Sequence, residues 1–268
     1  MRHLIKKTVV LLFTVFISSA AMSGVEEGLA AYKNRDYATA LKELSSLAQN
    51  GDAKAQNILG EMYVMGNGVP KDAAKAEEWF QKAAAQGYAP ALINIGNMYY
   101  NGVGVPKDVA KAVEWYQKAA AQGEVVAQSY LGWIYYNGVG VPKDVAKGVE
   151  WYQKAEAQGY AAAQSYLGLM YENGEGVPKD AAKAMEWYQK AAAQGDAKAQ
   201  SKLGKKYEKG EGVPKDAAKA MEWYQKAAAQ GDAAAQYDLG SMYVNGDGVR
   251  KDAAKAMEWY KKAMAQRN

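Results

Sequence analysis

"NGVGVPKDVAKAVEWYQKAAAQG" spans Asn101–Gly123, and close copies of this stretch recur along most of the 268-residue chain. Each copy contains one tryptophan, and these tryptophans lie 36 residues apart, at Trp79, Trp115, Trp151, Trp187, Trp223 and Trp259. A fixed period of this length is typical of a solenoid, in which each unit packs only against its neighbours. Counted from Gly51, the period predicts six units: residues 51–86, 87–122, 123–158, 159–194, 195–230 and 231–266.

Each unit contains two helical segments. The second follows an aspartate, such as Asp108, which favours a helix N-cap, and it stops at the glycine that opens the next unit. The first carries apolar residues at i, i+4 and i+8, as in Ala163, Leu167 and Tyr171. A shorter hairpin is predicted over residues 24–50. The sequence therefore predicts an all-α chain of about fourteen helices in about seven hairpins, continuous over residues 51–268.

A glycine stands near the middle of every first segment, where it costs about 1 kcal/mol relative to alanine. We expect close helix contact to offset this cost, with the tryptophan and tyrosine of the second segment filling the space of the missing Cβ. The Gly-x-Gly loops, such as residues 102–104, are interpreted as turns because no strand precedes them. The repeated residues thus indicate a packing pattern. The mid-helix glycines are Gly60, Gly96, Gly132, Gly168, Gly204 and Gly240.

Residues 1–23 are typical of a secretory signal peptide. Basic residues precede an apolar run over Thr8–Ile17, which is shorter than the ~20 residues needed to cross a bilayer. Ala21 and Ser23 occupy positions −3 and −1 of a cleavage site before Gly24. We therefore expect an exported protein, periplasmic or secreted after cleavage near Ser23, with no integral membrane span.

The composition argues against several classes of function. The chain has no cysteine, and its single histidine, His3, lies in the predicted signal peptide. The mature chain then lacks the histidine of Ser–His–Asp triads, the cysteine of thiolate nucleophiles and the histidine and cysteine ligands of the usual zinc sites. Without residues 1–23, 30 lysines and arginines stand against 29 acidic residues, a balance that does not favour nucleic-acid binding. We predict a protein that is not an enzyme and has no cofactor or metal.

Two other classes of function stay open on the sequence. Carboxylates near loops, such as Glu172 and Glu175, leave open an envelope enzyme directed at the cell wall or at β-lactams, although the Ser-x-x-Lys and Lys-Thr-Gly motifs are both absent. Aromatic pairs such as Trp115 and Tyr116 leave open a carbohydrate-binding module, although aromatic residues at helical spacing more often form a core.

The repeat "GYAAAQSYLGLMYENGEGVPKDAAKAMEWYQKAAAQG", Gly159–Gly195, resembles the Sel-1-like repeat, a relative of the tetratricopeptide repeat. Six consecutive units share the resemblance, and "AAYKNRDYATALKELSSLAQNGD" in the first hairpin is similar to an ordinary tetratricopeptide motif. The resemblance implies a right-handed α-superhelix whose concave surface is lined mainly by the first helix of each pair. It also implies an adaptor that binds partner proteins, and exported bacterial members are often linked to envelope assembly or host contact.

The copies differ along one stripe of the first segments, at positions 3, 6, 7, 10 and 13 counted from the opening glycine. Packing demands are similar in every unit, so this variation suggests a surface free to match a partner. The third unit carries Trp133 on the stripe, and the fifth carries a lysine cluster that includes Lys206. Tyrosine and tryptophan are common binding hot spots.

We therefore predict a groove with an aromatic floor centred on Trp133 and Tyr130, flanked by lysines. It would bind an extended or helical segment of a partner protein, of the envelope or of a host. The predicted partner-binding residues are Tyr100, Val126, Tyr130, Trp133, Tyr136, Tyr166, Leu169, Lys198, Lys202 and Lys205.

Overall fold

The computed structural model describes residues 24–265, and within that range the chain forms fourteen α-helices and no strand. The predicted all-α fold of paired helices is confirmed. The predicted signal peptide, residues 1–23, lies outside the described residues. The helices are α1 (residues 24–33), α2 (Tyr37–Gln49), α3 (Ala53–Met65), α4 (Ala73–Ala85), α5 (Ala89–Asn101), α6 (Val109–Ala121), α7 (Val125–Asn137), α8 (Val145–Glu156), α9 (Ala161–Asn173), α10 (Ala181–Ala193), α11 (Ala197–Lys209), α12 (Ala217–Ala229), α13 (Ala233–Asn245) and α14 (Ala253–Ala265).

The helices are divided between two compact units, one ending at Ala127 and the other beginning at Gln128. In the first unit, consecutive helices pack against each other from α2 to α6. In the second unit, the same holds from α8 to α14. Contacts between neighbours in sequence are what a repeat architecture requires.

Aspartates cap the second helix of each repeat, as predicted. Asp72 Oδ1 accepts a hydrogen bond from the backbone N–H of Lys75 at 3.0 Å, and the equivalent bond is present in the other five repeats. The predicted glycine at the other end of the helix is also confirmed. Gly87 follows α4 with a φ of +78°, in the left-handed region that glycine adopts without strain, and its N–H donates to Ala84 O at 2.9 Å.

The mid-helix glycines allow an aromatic ring to approach the backbone of the first helix. A Cβ on Gly60 would lie only 2.5 Å from Cε1 of Phe80, and each of the other five glycines faces a tyrosine ring in the same way. The prediction is therefore confirmed for the tyrosines but is wrong for the tryptophans. Trp79 instead packs, partly buried, against the core of α1–α3, and Lys82 Nζ lies 4.1 Å from its ring centroid. The rings that face the glycines are Phe80, Tyr116, Tyr152, Tyr188, Tyr224 and Tyr260.

The Gly-x-Gly loops are packing elements. Gly102 ends α5 in the left-handed conformation, and a Cβ on Gly104 would lie 2.6 Å from the Cβ of Ala73. The loop is closed by a hydrogen bond from Asp108 N to Tyr99 O at 2.8 Å. These contacts explain both glycines by helix termination and close packing.

Candidate partner-binding face

The first helices of the six repeats are α3, α5, α7, α9, α11 and α13. All ten predicted partner-binding residues lie on four of them, α5, α7, α9 and α11. Tyr100 and Val126 belong to the first unit, and the other eight belong to the second. None of the ten is buried, and Tyr130 has an exposed fraction of 41%. Other residues of the variable stripe, Ser129 and Ser165, are buried. Variation between copies therefore does not by itself mark a free surface.

Several variable residues accept a hydrogen bond from a buried phenol. The tyrosine that packs on the mid-helix glycine turns its hydroxyl toward the first helix of its own repeat. Tyr116 donates to Asn97 Oδ1 at 2.7 Å, and Tyr188 donates to Glu172 at 2.7 Å. A buried hydroxyl without a partner is costly. Variation at these positions therefore changes which group accepts the hydrogen bond of the buried tyrosine hydroxyl. The interpretation that the variation reflects only a surface released from packing is wrong at these positions.

The hydroxyl of Tyr152 differs from those of the equivalent tyrosines. Trp133 and Tyr136 stand at the two positions that supply the acceptor in other repeats, and the Tyr136 hydroxyl donates to Glu175 instead. The Tyr152 hydroxyl has no hydrogen-bond partner among residues 24–265. The Tyr152 ring stacks on Tyr166, with centroids 4.8 Å apart and planes at 12°. Burial raises the pKa of Tyr152, and burial with the bond to Glu175 raises the pKa of Tyr136 to about 12.

A pocket of about 340 Å³ lies between α9 and α11 in the second unit, and we call it the α9–α11 pocket. Four of the ten predicted residues line it: Tyr166, Leu169, Lys198 and Lys202. Its remaining wall is formed by Ala162, Ser165, Tyr188, Asp196 and Ala197. The predicted residues of these two helices are thus brought together around one opening.

The lysine cluster is largely neutralised by carboxylates. Lys202 Nζ and Lys206 Nζ lie 2.9 and 2.7 Å from the carboxylate of Glu172, and Lys206 also lies 2.9 Å from Glu211. The Lys206 side chain is only 7% exposed. Lys198 and Lys205 are exposed to solvent. The predicted basic flank is therefore an ion-pair network, because Glu172 and Glu211 from other segments of the chain pair with its lysines. Lys198 is the exposed lysine at the rim of the pocket.

This network perturbs the pKa of Glu172. Burial of the carboxyl acts to raise its pKa, but hydrogen bonds from Lys206, Tyr188 and Lys202 outweigh burial and lower it from 4.5 to about 2. A carboxyl whose pKa is lower in the folded state stabilises the fold above its unfolded pKa. The stabilisation is therefore present above about pH 4.5 and is lost as the pH falls toward 2.

A second pocket, of about 290 Å³, lies in the first unit, and we call it the Glu61 pocket. Glu61 Oε1 accepts hydrogen bonds from Asn57 Nδ2 at 2.9 Å and Asn94 Nδ2 at 3.3 Å. Burial raises the pKa of Glu61 despite these two hydrogen bonds. Glu61 is not among the ten predicted residues, although it occupies stripe position 10, as do Trp133 and Lys205. A comparison of stripe position 10 that included the first repeat would have identified Glu61 from the sequence.

Neither a metal centre nor a membrane span is found in the described part of the chain. Residues 24–265 contain no group of three or more His, Cys, Asp or Glu placed to hold a metal ion. No helix in this range is long and apolar enough to cross a bilayer.

The sequence matches the family model of the Sel1 repeat in six consecutive segments. They start two residues after each of the predicted unit boundaries and keep the same 36-residue period. No curated protein was found to match the chain. The matched segments are residues 53–88, 89–124, 125–160, 161–196, 197–232 and 233–268.

The solved structures that are similar to this chain include other Sel1 repeat proteins. A Sel1 repeat protein from Oxalobacter formigenes is 35% identical with a TM-score of 0.82, over 90% of this chain and 96% of that one. A protective antigen of uropathogenic Escherichia coli strains, with an SLR fold, is 42% identical with a TM-score of 0.75. The match covers 85% of this chain but only 49% of the antigen, so this chain spans about half of its length. An immunity protein from Pseudomonas aeruginosa is 26% identical with a TM-score of 0.54, over 78% of this chain and 81% of that one.

Proposed function

This chain belongs to the Sel1 repeat family, and on that premise we propose that it is a non-enzymatic scaffold of the bacterial cell envelope. It binds a segment of a partner protein on first helices of its repeats, with the main anchor between α9 and α11. Repeat arrays of helix pairs offer extended surfaces for such segments.

The α9–α11 pocket is the observation that supports this proposal most directly. Its aromatic and aliphatic side chains, Tyr166, Leu169 and Tyr188, lie beside the exposed ammonium of Lys198. Lys198 Nζ lies 5.7 Å from the Tyr166 ring centroid. A volume of about 340 Å³ admits a few side chains, as a peptide anchor requires.

Tyr166 is well suited to act as an anchor residue. Its ring is held by the stack on buried Tyr152, so little side-chain entropy is lost when a partner covers it. Tyrosine is also among the residues that contribute most to binding energy at interfaces. We therefore expect Tyr166 to dominate binding at this pocket, with Leu169 beside it.

Export of the protein forms part of the same proposal. The basic and apolar pattern of residues 1–23 supports it, and a protective antigen is among the similar structures. We expect the mature protein to begin at Gly24 and to be recovered from the periplasm or the medium. Fractionation of cells and N-terminal sequencing would measure this, and an intact N-terminus on protein confined to the cytoplasm would contradict it.

The binding proposal is tested with a double variant, Tyr166→Ala with Leu169→Ala. Immobilised protein is exposed to envelope extracts, and each retained partner is then purified and titrated against the wild type and the variants. We expect the double variant to bind at least about tenfold more weakly, because it removes both apolar anchors of the pocket.

Tyr237→Ala with Val244→Ala is the matched control. It removes an exposed tyrosine and an exposed aliphatic residue from another first helix, α13, outside this pocket. We expect the control to bind like the wild type. Equal affinity of the wild type and the pocket variant, with helical content unchanged by circular dichroism, would refute the proposed binding face.

A further inference from the structure

One oxygen of the Glu61 carboxylate accepts no hydrogen bond from residues 24–265. Oε1 accepts both amide hydrogen bonds, from Asn57 and Asn94. Oε2 has no hydrogen-bond donor among residues 24–265, and Glu61 lines the Glu61 pocket. One oxygen is therefore held in place while the other is free to meet a ligand.

No cation of the described chain neutralises Glu61. Neither a lysine nor an arginine lines the pocket, and the groups that lower the pKa of Glu61 are the amides of Asn94 and Asn57. Glu172, on a first helix of the second unit, has two lysines within 3 Å. A partly buried carboxylate without a counter-charge is unfavourable, so the free protein bears a cost that a bound cation would remove.

The rest of the pocket suits an aliphatic chain. Its wall includes Phe80 and Met98, and two of its members, Met65 and Val103, are 61% and 37% exposed although they are apolar. Methionine adapts its shape to flexible ligands. A long alkyl stem that ends in a cation would cover the apolar wall and reach the carboxylate of Glu61.

Amides at the pocket provide partners for a peptide backbone. Asn97 Oδ1 accepts the hydroxyl of Tyr116, and no acceptor within residues 24–265 takes its Nδ2 hydrogens. Asn101 also lines the pocket, and its Oδ1 has no donor in the same range. One donor and one acceptor are thus available, which is the pair that a peptide group requires.

We propose that the Glu61 pocket binds a lysine side chain in an extended segment of the partner protein, with its ammonium group against Glu61 Oε2 and its stem against Met65 and Val103. This proposal rests on the function proposed above. Lysine is favoured over arginine because only one carboxylate oxygen is free, whereas a guanidinium binds best to two.

The test compares the wild type with Glu61→Gln in selections from a random-sequence peptide library displayed on phage. Glutamine keeps the size of the side chain and removes its charge. We expect peptides selected by the wild type to share a lysine at one position. Synthetic peptides with that lysine should bind the wild type at least about tenfold more tightly than norleucine analogues. With Glu61→Gln this ratio should fall to about one.

Glu78→Gln is the matched control, because Glu78 is an exposed carboxylate on α4 of the same unit. It should retain the wild-type preference for lysine. Thermal unfolding adds a readout that separates binding from structure. Glu61→Gln should raise the Tm of the free protein, since it removes a carboxylate that lacks a counter-charge, whereas a merely structural role for Glu61 predicts a lower Tm.

Each outcome discriminates between the two proposals. Selected peptides without a lysine preference, or a preference that survives in Glu61→Gln, would overturn the lysine site and leave the scaffold function standing. Tight binding of free alkylamines with no selection of lysine peptides would make the occupant a small molecule and also overturn it. Failure to select any peptide would count against the scaffold function itself.

Discussion

Replacement of Gly60 by alanine is expected to destabilise the protein, although alanine is the better helix former. Gly60 lies inside α3, and a Cβ there would be 2.5 Å from Cε1 and 2.6 Å from Cδ1 of Phe80. Phe80 is 2% exposed, so its ring has little room to move. Overpacking costs about 1–3 kcal/mol. The gain in helix propensity is about 1 kcal/mol. We expect a net loss of about 1 kcal/mol in the free energy of unfolding.

The same substitution should stabilise a protein that lacks the ring. In a Phe80→Ala background the steric cost disappears, and Gly60→Ala should then gain about 1 kcal/mol from helix propensity. The coupling energy between the two sites is therefore about 2 kcal/mol. Urea unfolding followed by far-UV circular dichroism measures all four variants. Phe80→Ala alone is expected to cost about 3–5 kcal/mol, which the cycle subtracts.

The sign of the stability change caused by Gly60→Ala tests whether the Phe80 ring occupies the space of the missing Cβ. If Gly60→Ala raised the urea midpoint of the otherwise wild-type protein, the ring would not occupy the space of the missing Cβ. If its effect were the same with and without Phe80, the glycine would be present for another reason. Either result would refute close packing as the compensation for the mid-helix glycines.

Two further predictions concern the buried polar groups of the second unit. Tyr152→Phe should leave the free energy of unfolding unchanged or raise it by about 1 kcal/mol, because it removes an unpartnered hydroxyl. Tyr188→Phe should lower the free energy of unfolding by about 1–2 kcal/mol, because it removes a hydrogen bond to a carboxylate. The urea midpoints of the two variants measure these changes. Equal losses of stability in Tyr152→Phe and Tyr188→Phe would contradict the prediction. Lys206→Met should lower the free energy of unfolding by about 2 kcal/mol, because it breaks a buried ion pair with Glu172. The loss is limited because Glu172 keeps Lys202 as a partner. Exposed Lys205→Met on the same helix should change stability by less than about 0.5 kcal/mol, and a comparable loss would contradict a network centred on Lys206.

The site was only partly predictable because its chemistry depends on pairs of residues far apart in the chain. Tyr166, Leu169 and Lys198 of the variable stripe line one pocket, since residues at helical spacing share a face of their helix. The stripe cannot show that Lys202 pairs with Glu172 across 30 residues, or that Asn94 bonds Asn57 across 37. Such pairs depend on how neighbouring repeats dock.

The sequence by itself determined the repeat period, the paired helices and their ends. These features follow from local chemistry: an aspartate such as Asp72 caps the helix that starts beside it, and a glycine such as Gly87 adopts the left-handed conformation where the helix stops. Only the tertiary structure decided which variable side chains serve the fold and which remain open to a partner. Burial and the distances between repeats separate Lys206, which is buried in ion pairs, from Glu61, whose free oxygen lines a pocket.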